Sequence, residues 1–302
     1  VQSSIDRGLT LTKEIKEGHV YIVDYKELEG IKRNGEDGNS SLCYLAEPLC
    51  LFYVKCSGDL VPIAIQLFQQ PSDSNPIWLP DDAQYDWLLA KMWLRNADHQ
   101  VHQMGVHLMK THLVMEAFSV ASWRQLSSIH PIFQLLFPHL RSIMAINTIG
   151  RKELVSEGGI VDKTLSIGGG GHIQLLEKTY KGFQLEMLCL PIMLKKRGVD
   201  DPEKLPNYYY RDDGRLMWDA ICNFIREFLV VFYRSDDDVC NDHELQSWAM
   251  DIHENGLPTR EGDEDHGFPA CLQTLDELVH VLTCRVFTCS CQHAAVNFPQ
   301  ME

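Results

Sequence analysis

Val106-His107-Leu108-Met109-Lys110-Thr111-His112-Leu113-Val114-Met115-Glu116-Ala117-Phe118 is the stretch on which the reading of this chain turns. Its apolar residues recur with helical spacing, and two histidines stand five residues apart within it. In a regular α-helix a five-residue step rotates a side chain by about 140°, so the two imidazoles would diverge. One wide π-type turn would return them to the same side, and such turns tend to mark functional sites. A second pair, His293 and Asn297 in Gln292-His293-Ala294-Ala295-Val296-Asn297-Phe298, stands at i and i+4 and shares one face of an ordinary helix. Ala294 and Ala295 leave room around it. Taken singly, each pair reads equally well as buried, hydrogen-bonded polar residues. Together they offer three imidazoles and an amide oxygen on two apolar helices. That neutral set suits a redox-active first-row metal better than magnesium or calcium, and its lack of thiolate argues against a structural zinc site.

Working outward, helical period also runs through 87–94, 131–144, 175–190, 216–233, 243–253 and 275–298, with Asp81-Asp82 as the expected cap of the first of these. The first third differs. There 19–25, 49–55 and 60–68 cluster β-branched and aromatic residues between turn formers, which predicts a small antiparallel sheet. Gly168-Gly169-Gly170-Gly171 before His172 reads as a tight or close-packed loop, since the strand and the Lys or Ser/Thr of a phosphate cradle are missing. The fold class is therefore mainly α with a small N-terminal antiparallel sheet, in one domain over 1–302.

Of 302 residues 45% are hydrophobic, enough for a substantial core. A net charge of -15 with no basic stripe excludes a nucleic-acid partner. The acidic runs at 235–238 and 261–265 read as solvated loops. Ten cysteines without a CxxC pair fit a reduced, cytoplasmic setting. No apolar run is long enough to span a bilayer, and the first residues lack the pattern of a signal peptide. His130 and His139, each beside a proline, read as surface or hydrogen-bonded core residues. Val1 at the start, and an apolar helical segment running to the last residues, make both ends look cut.

Six ordered motifs carry a resemblance. The His107–His112 helix, the 292–298 segment, Asp86-Trp87-Leu88-Leu89-Ala90-Lys91, Ser127-Ser128-Ile129-His130-Pro131-Ile132, the Gly168-to-His172 run and Tyr210-Arg211-Asp212-Asp213-Gly214 look like animal lipoxygenases. Through 93–98, 198–206 and 265–270 the chain looks closest to arachidonate 8R-lipoxygenases of the coral type. The resemblance implies a lipoxygenase-type helical catalytic domain, without the family's N-terminal calcium- and membrane-binding β-sandwich and without its C-terminal Ile. Peripheral membrane contact would belong to a full-length form.

In such a domain non-haem iron, cycling between Fe2+ and Fe3+, would be held by His107, His112, His293 and Asn297, with the C-terminal Ile carboxylate completing the set. The implied reaction removes hydrogen from the methylene between two cis double bonds of a polyunsaturated fatty acid. Dioxygen then adds to the pentadienyl radical from the opposite face. By the motif match Leu108, Leu113, Leu154 and Ile160 would line the substrate and oxygen pocket, with His99 and Gln103 near it. Gly150, in Asn147-Thr148-Ile149-Gly150-Arg151, occupies the position where Gly accompanies R products and Ala accompanies S products. A bland reading of that Gly is backbone packing. His99 and Pro299 depart from the usual pattern, and Gln300 would support the iron ligands from behind. Two alternatives stand beside the dioxygenase: a relative that isomerises hydroperoxides to epoxyalcohols, and an inactive lipid-binding fragment.

Overall fold

A computed structural model describes residues 1–36, 38 and 41–298. Thirteen α-helices and four strands follow one another among these: α1 (Leu11–Glu17), β1 (Val20–Asp24), β2 (Leu49–Val54), β3 (Leu60–Gln66), β4 (Ile77–Trp78), α2 (Gln84–Val101), α3 (Val114–Gln125), α4 (Pro131–Leu140), α5 (Ile143–Gly150), α6 (Ile160–Thr164), α7 (Gly171–Lys181), α8 (Leu190–Lys196), α9 (Tyr209–Leu229), α10 (Asp236–Cys240), α11 (His243–Asp251), α12 (Leu275–Phe287) and α13 (His293–Asn297). The mainly α class with a small antiparallel sheet is as expected. The chain forms two compact units, one from 1–104, 155–178 and 197–209, the other from 105–154, 179–196 and 210–302.

In the first unit the sheet runs β1-β2-β3-β4, all antiparallel. Its register slips between Leu51 and Phe52, which pair with Ala64 and Pro62 and leave Ile63 as the extra residue. A bulge of this kind reverses which side the following residues face. Ile63 therefore joins Ile5 and Tyr53 in one apolar cluster, whereas Ile65 joins Cys50 and Ala90 of α2 in another. Both faces of the sheet are used. The glycine run is close-packed as expected: a Cβ on Gly168 would meet the Asp162 carbonyl oxygen at 1.9 Å, and one on Gly171 the Lys32 carbonyl oxygen at 1.9 Å.

The second unit is built around α3, α11 and α12. Phe118, Trp248 and Phe268 stack edge to face with centroids 5.4–6.2 Å apart, and the Trp248 indole donates to Ser122 Oγ at 3.0 Å. Thr274 opens α12 with a reciprocal capping box to Glu277, and Leu278–Phe287 carries buried residues around its circumference apart from His280. Among the described residues no helix is long and apolar enough to cross a membrane.

Several boundaries differ from the sequence reading. Asp82 does not cap α2; its carboxylate accepts from the Leu79 N–H in the preceding turn, and Ala83 holds the cap position without a side-chain bond. The helix expected over 131–144 breaks at Ser142, whose φ is 70°. That expected over 175–190 becomes α7, a short 3-10 turn and α8, because the Leu185 N–H is drawn to the His266 carbonyl at 2.7 Å. Ser235-Asp236-Asp237-Asp238 is a capping box and the first turn of α10 rather than a loop. β4, two residues long, carried no usable strand signal.

Candidate metal centre

The backbone from α2 into α3 never leaves the helical region, yet His102–Leu113 is wound as a π-helix. With i to i+5 pairing, a residue five positions on stacks above its predecessor, so His107 and His112 face the same way. A second π turn, Thr288–Gln292, links α12 to α13 and delivers His293 at its end. All three histidines belong to the second unit.

Their imidazoles converge. His112 Nε2 lies 3.2 Å from His107 Nε2 and 3.1 Å from His293 Nε2, with ring centroids 4.9, 4.9 and 5.3 Å apart. The three donor nitrogens fall within 4.8 Å of one another. Metal–nitrogen bonds of about 2.1 Å, meeting at right or tetrahedral angles, put neighbouring nitrogens about 3.0–3.4 Å apart, so the spacing fits a shared ion.

The protonation pattern agrees with that fit. Asn147 on α5 donates its amide Nδ2 to the His112 carbonyl at 3.1 Å and to Glu116 Oε2 at 2.7 Å. Its Oδ1 is therefore the atom that faces His112 Nδ1 at 2.9 Å, and it can only accept. His112 must carry its proton on Nδ1. Its Nε2 then presents a bare lone pair to the other two imidazoles. One lone pair cannot serve two close donors, whereas a cation between the three nitrogens uses all three.

Glu116, one helical turn after His112, is gripped by Arg151, which donates from both terminal nitrogens at 2.6 and 3.0 Å. Burial pushes the Glu116 carboxyl up, but the hydrogen bonds from Arg151 and Asn147 outweigh it and hold the group below its usual range. Burial, aided by His112, lowers the His293 pKa and favours the neutral imidazole that ligation needs.

The sequence profile of the lipoxygenase family matches residues 1–302. This chain belongs to that family. The allene oxide synthase-lipoxygenase protein of Plexaura homomalla is 50% identical over 318 residues, covering 100% of this chain and 30% of that protein. A solved coral 8R-lipoxygenase is 52% identical with a TM-score of 0.95, over 99% of this chain and 44% of that one. A lipoxygenase solved anaerobically in complex with arachidonate is 53% identical with a TM-score of 0.96, over 99% of this chain and 45% of that one. The lipoxygenase chain described here thus spans less than half the length of each of these relatives.

Within this lipoxygenase chain, His107, His112 and His293 meet, and Asn297 sits part-buried one turn beyond His293 on α13. Leu108 and Leu113 follow the two π-helix histidines directly and are half-buried. Leu154 ends up 39% exposed in the π turn Arg151–Val155, and Ile160 is 58% exposed at the start of α6. His99 is exposed on α2, with a pKa lowered by desolvation and by His102; Gln103 lies in the first turn of the π-helix. Gly150 ends α5, one turn after Asn147, and a Cβ built on it meets nothing within 4 Å. Close packing therefore does not explain that glycine. Gln300 and Pro299 lie outside the described residues.

Sequence reasoning missed the partners of His112. Glu116 was visible as a carboxylate four residues after a histidine in an apolar helix, and Asn147 and Arg151 as a polar pair at i, i+4. Nothing local tied the two stretches together. His130 and His139 are structural, as expected: His130 accepts from the Ile132 N–H and pairs with Asp242 at 3.0 Å, and burial lowers the His139 pKa.

Proposed function

We propose that this chain carries the iron-binding part of a dioxygenase that converts a polyunsaturated fatty acid of the arachidonate kind, with O2, to a hydroperoxide of R configuration. The carrying observation is the convergence of His107, His112 and His293 through Nε2, with the His112 tautomer pinned by Asn147. Bound iron would supply the one-electron redox chemistry by which a bis-allylic methylene loses hydrogen.

The side chains of this lipoxygenase do the rest by position. His107, His112 and His293 offer neutral lone pairs, and Asn297 is the further neutral donor from α13. Asn147 keeps the His112 proton on Nδ1. Glu116 and Arg151 lock the Asn147 amide so that it cannot flip. Leu108 and Leu113 set apolar surface beside the donors, as recognition of an acyl chain by burial and shape requires. Gly150, one turn from Asn147, leaves free the volume of one methyl, which supports the R assignment.

The test uses the full-length protein that contains this chain. Iron analysis should give a stoichiometric ion, and arachidonate should drive oxygen uptake with conjugated-diene formation. His112→Ala should abolish both. A wild-type protein that folds but retains no iron, or a His112→Ala variant that keeps it, overturns the reading.

A further inference from the structure

A second cluster of donors lies in the same unit, away from the three histidines. Cys189 follows the 3-10 turn Leu185–Leu188 and precedes α8; His280 and Cys284 stand at i and i+4 on α12 and so share one helix face. Both cysteines are buried, at 4% and 0% exposure, whereas His280 reaches the edge of the core. Cys284 Sγ lies 3.7 Å from His280 Nε2, and the three donor atoms all fall within 4.8 Å of one another. The two thiols act on each other, Cys284 lowering the Cys189 pKa and Cys189 raising that of Cys284. None of the ten cysteines is in a disulfide.

We propose that Cys189, His280 and Cys284 form a binding site for a thiophilic closed-shell cation, Zn2+, separate from the three-histidine centre. With metal–sulfur bonds of about 2.3 Å and metal–nitrogen bonds of about 2.1 Å, tetrahedral geometry places S and N about 3.6 Å apart and two sulfurs about 3.8 Å apart. The observed 3.7 Å already meets the first condition. Two thiolates and a neutral imidazole around a dication make an assembly of zero net charge, which a core tolerates far better than an isolated ion. Thiolate donors select Zn2+ over the hard ions and distinguish this site from the all-imidazole one. The backbone is set on both sides: Cys189 N–H donates to the Glu186 carbonyl at 3.0 Å, and α12 is fixed by its capping box. His280 forms the side open to solvent, and Glu186, itself held by Lys196, acts on it electrostatically. Cys222 on α9 also acts to push the Cys284 thiol up. Binding replaces two S–H bonds by two S–Zn bonds and releases two protons; no electron moves.

The experiment uses the full-length, iron-loaded protein, reduced and free of other metals. One equivalent of Co2+ should produce a thiolate-to-cobalt charge-transfer band in the near ultraviolet, which the three-histidine centre cannot give because it holds no thiolate. Zn2+ should bleach that band and raise the melting temperature. Proton release of about two per ion should accompany Zn2+ uptake. Cys189→Ser, nearly isosteric, should remove the band, and His280→Gln, at the edge of the core, should weaken Zn2+ by roughly 10-fold or more. Iron content should stay unchanged in both. Absence of the band in the wild type overturns the proposal without recourse to any variant. A band of undiminished intensity in Cys189→Ser assigns it to other cysteines and overturns it equally.

Discussion

Two buried polar groups in the second unit stand in opposite condition. Around His112 every polar atom has a partner: Asn147 spends its carbonyl oxygen and its amide nitrogen on three bonds, and Glu116 is held by Arg151. Arg285 stands on α12, eight residues before His293 along the same helical path, and is 0% exposed. Its Nη2 donates to Ser119 Oγ and the His139 carbonyl, both at 3.2 Å, but Nε and Nη1 find no hydrogen-bond partner among the described residues. The Cys289 sulfur beside it is a weak acceptor. A buried cation without a carboxylate is costly, whereas a completed network fixes geometry. Polar burial is thus directed at the donor histidines and tolerated at Arg285.

Removing the amide that completes the first network should have the largest effect. Asn147→Ala frees the His112 ring to take either tautomer and leaves the Glu116 carboxylate to Arg151 alone. Iron affinity of the full-length protein should fall by roughly 10–100-fold, as for loss of other groups that orient a metal-bound histidine. Competition against a chelator measures this. An unchanged affinity would mean that the imidazole is oriented by something other than Asn147.

A second completed network calibrates what satisfaction is worth. Asp242 caps α11 through the Leu245 N–H and also accepts from His130 and Tyr233. Burial pushes its carboxyl up, yet those hydrogen bonds prevail and bring it down from 3.8 to about 2. The unfolded chain takes up the proton near 3.8 and the folded chain only near 2, so the stabilisation is complete above pH 4 and is lost as pH falls toward 2. The shift corresponds to about 2 kcal/mol. Asp242→Asn should lower unfolding stability by about that amount at neutral pH and flatten its decline between pH 4 and 2, as urea titrations at several pH values would read.

The contrast also separates what sequence could and could not announce. The five-residue step from His107 to His112 demanded a π turn if the rings were to meet, and the structure contains one; the i, i+4 step from His293 to Asn297 needed only ordinary helix. Both are local constraints, visible in a few residues. The Asn147 contact to His112 crosses 35 residues, and the Cys189 contact to Cys284 nearly a hundred, so no spacing rule reaches them. The broken helix after Lys181 fails for the same reason: its residues have helical period, but the His266 carbonyl captures the Leu185 N–H from another part of the chain. Class and sheet were legible because alternation and period are summed over many residues; the ends of α2 and α7 rest on single competing hydrogen bonds.

Arg285→Met attacks the other side of the comparison and should have a smaller effect, of opposite sign. A linear apolar side chain of similar length fills the space and removes the two unpaired nitrogens. The expected outcome is unchanged or higher stability, by about 1 kcal/mol, read as the urea midpoint. A loss of about 3 kcal/mol or more would show that the guanidinium has a strong partner in the full-length protein, and the contrast with Asn147 would disappear.

Gly150→Ala should perturb the fold least while testing the most specific part of the functional reading. The residue is helical, its φ is not positive, and an added Cβ meets no atom within 4 Å, so stability should hold or rise by about 0.5 kcal/mol. Asn147, one turn earlier on the same helix, already touches His112, which puts the new methyl on the face of α5 that serves the donor histidines. If that vacant volume is where dioxygen meets the substrate radical, filling it should move the product from R toward S with little change in melting temperature. Chiral-phase analysis of the hydroperoxides measures the first effect and a thermal melt the second. A product ratio that stays fixed while the protein is otherwise intact would detach Gly150 from stereocontrol and leave it as a helix-terminal glycine, with the metal centre itself unaffected.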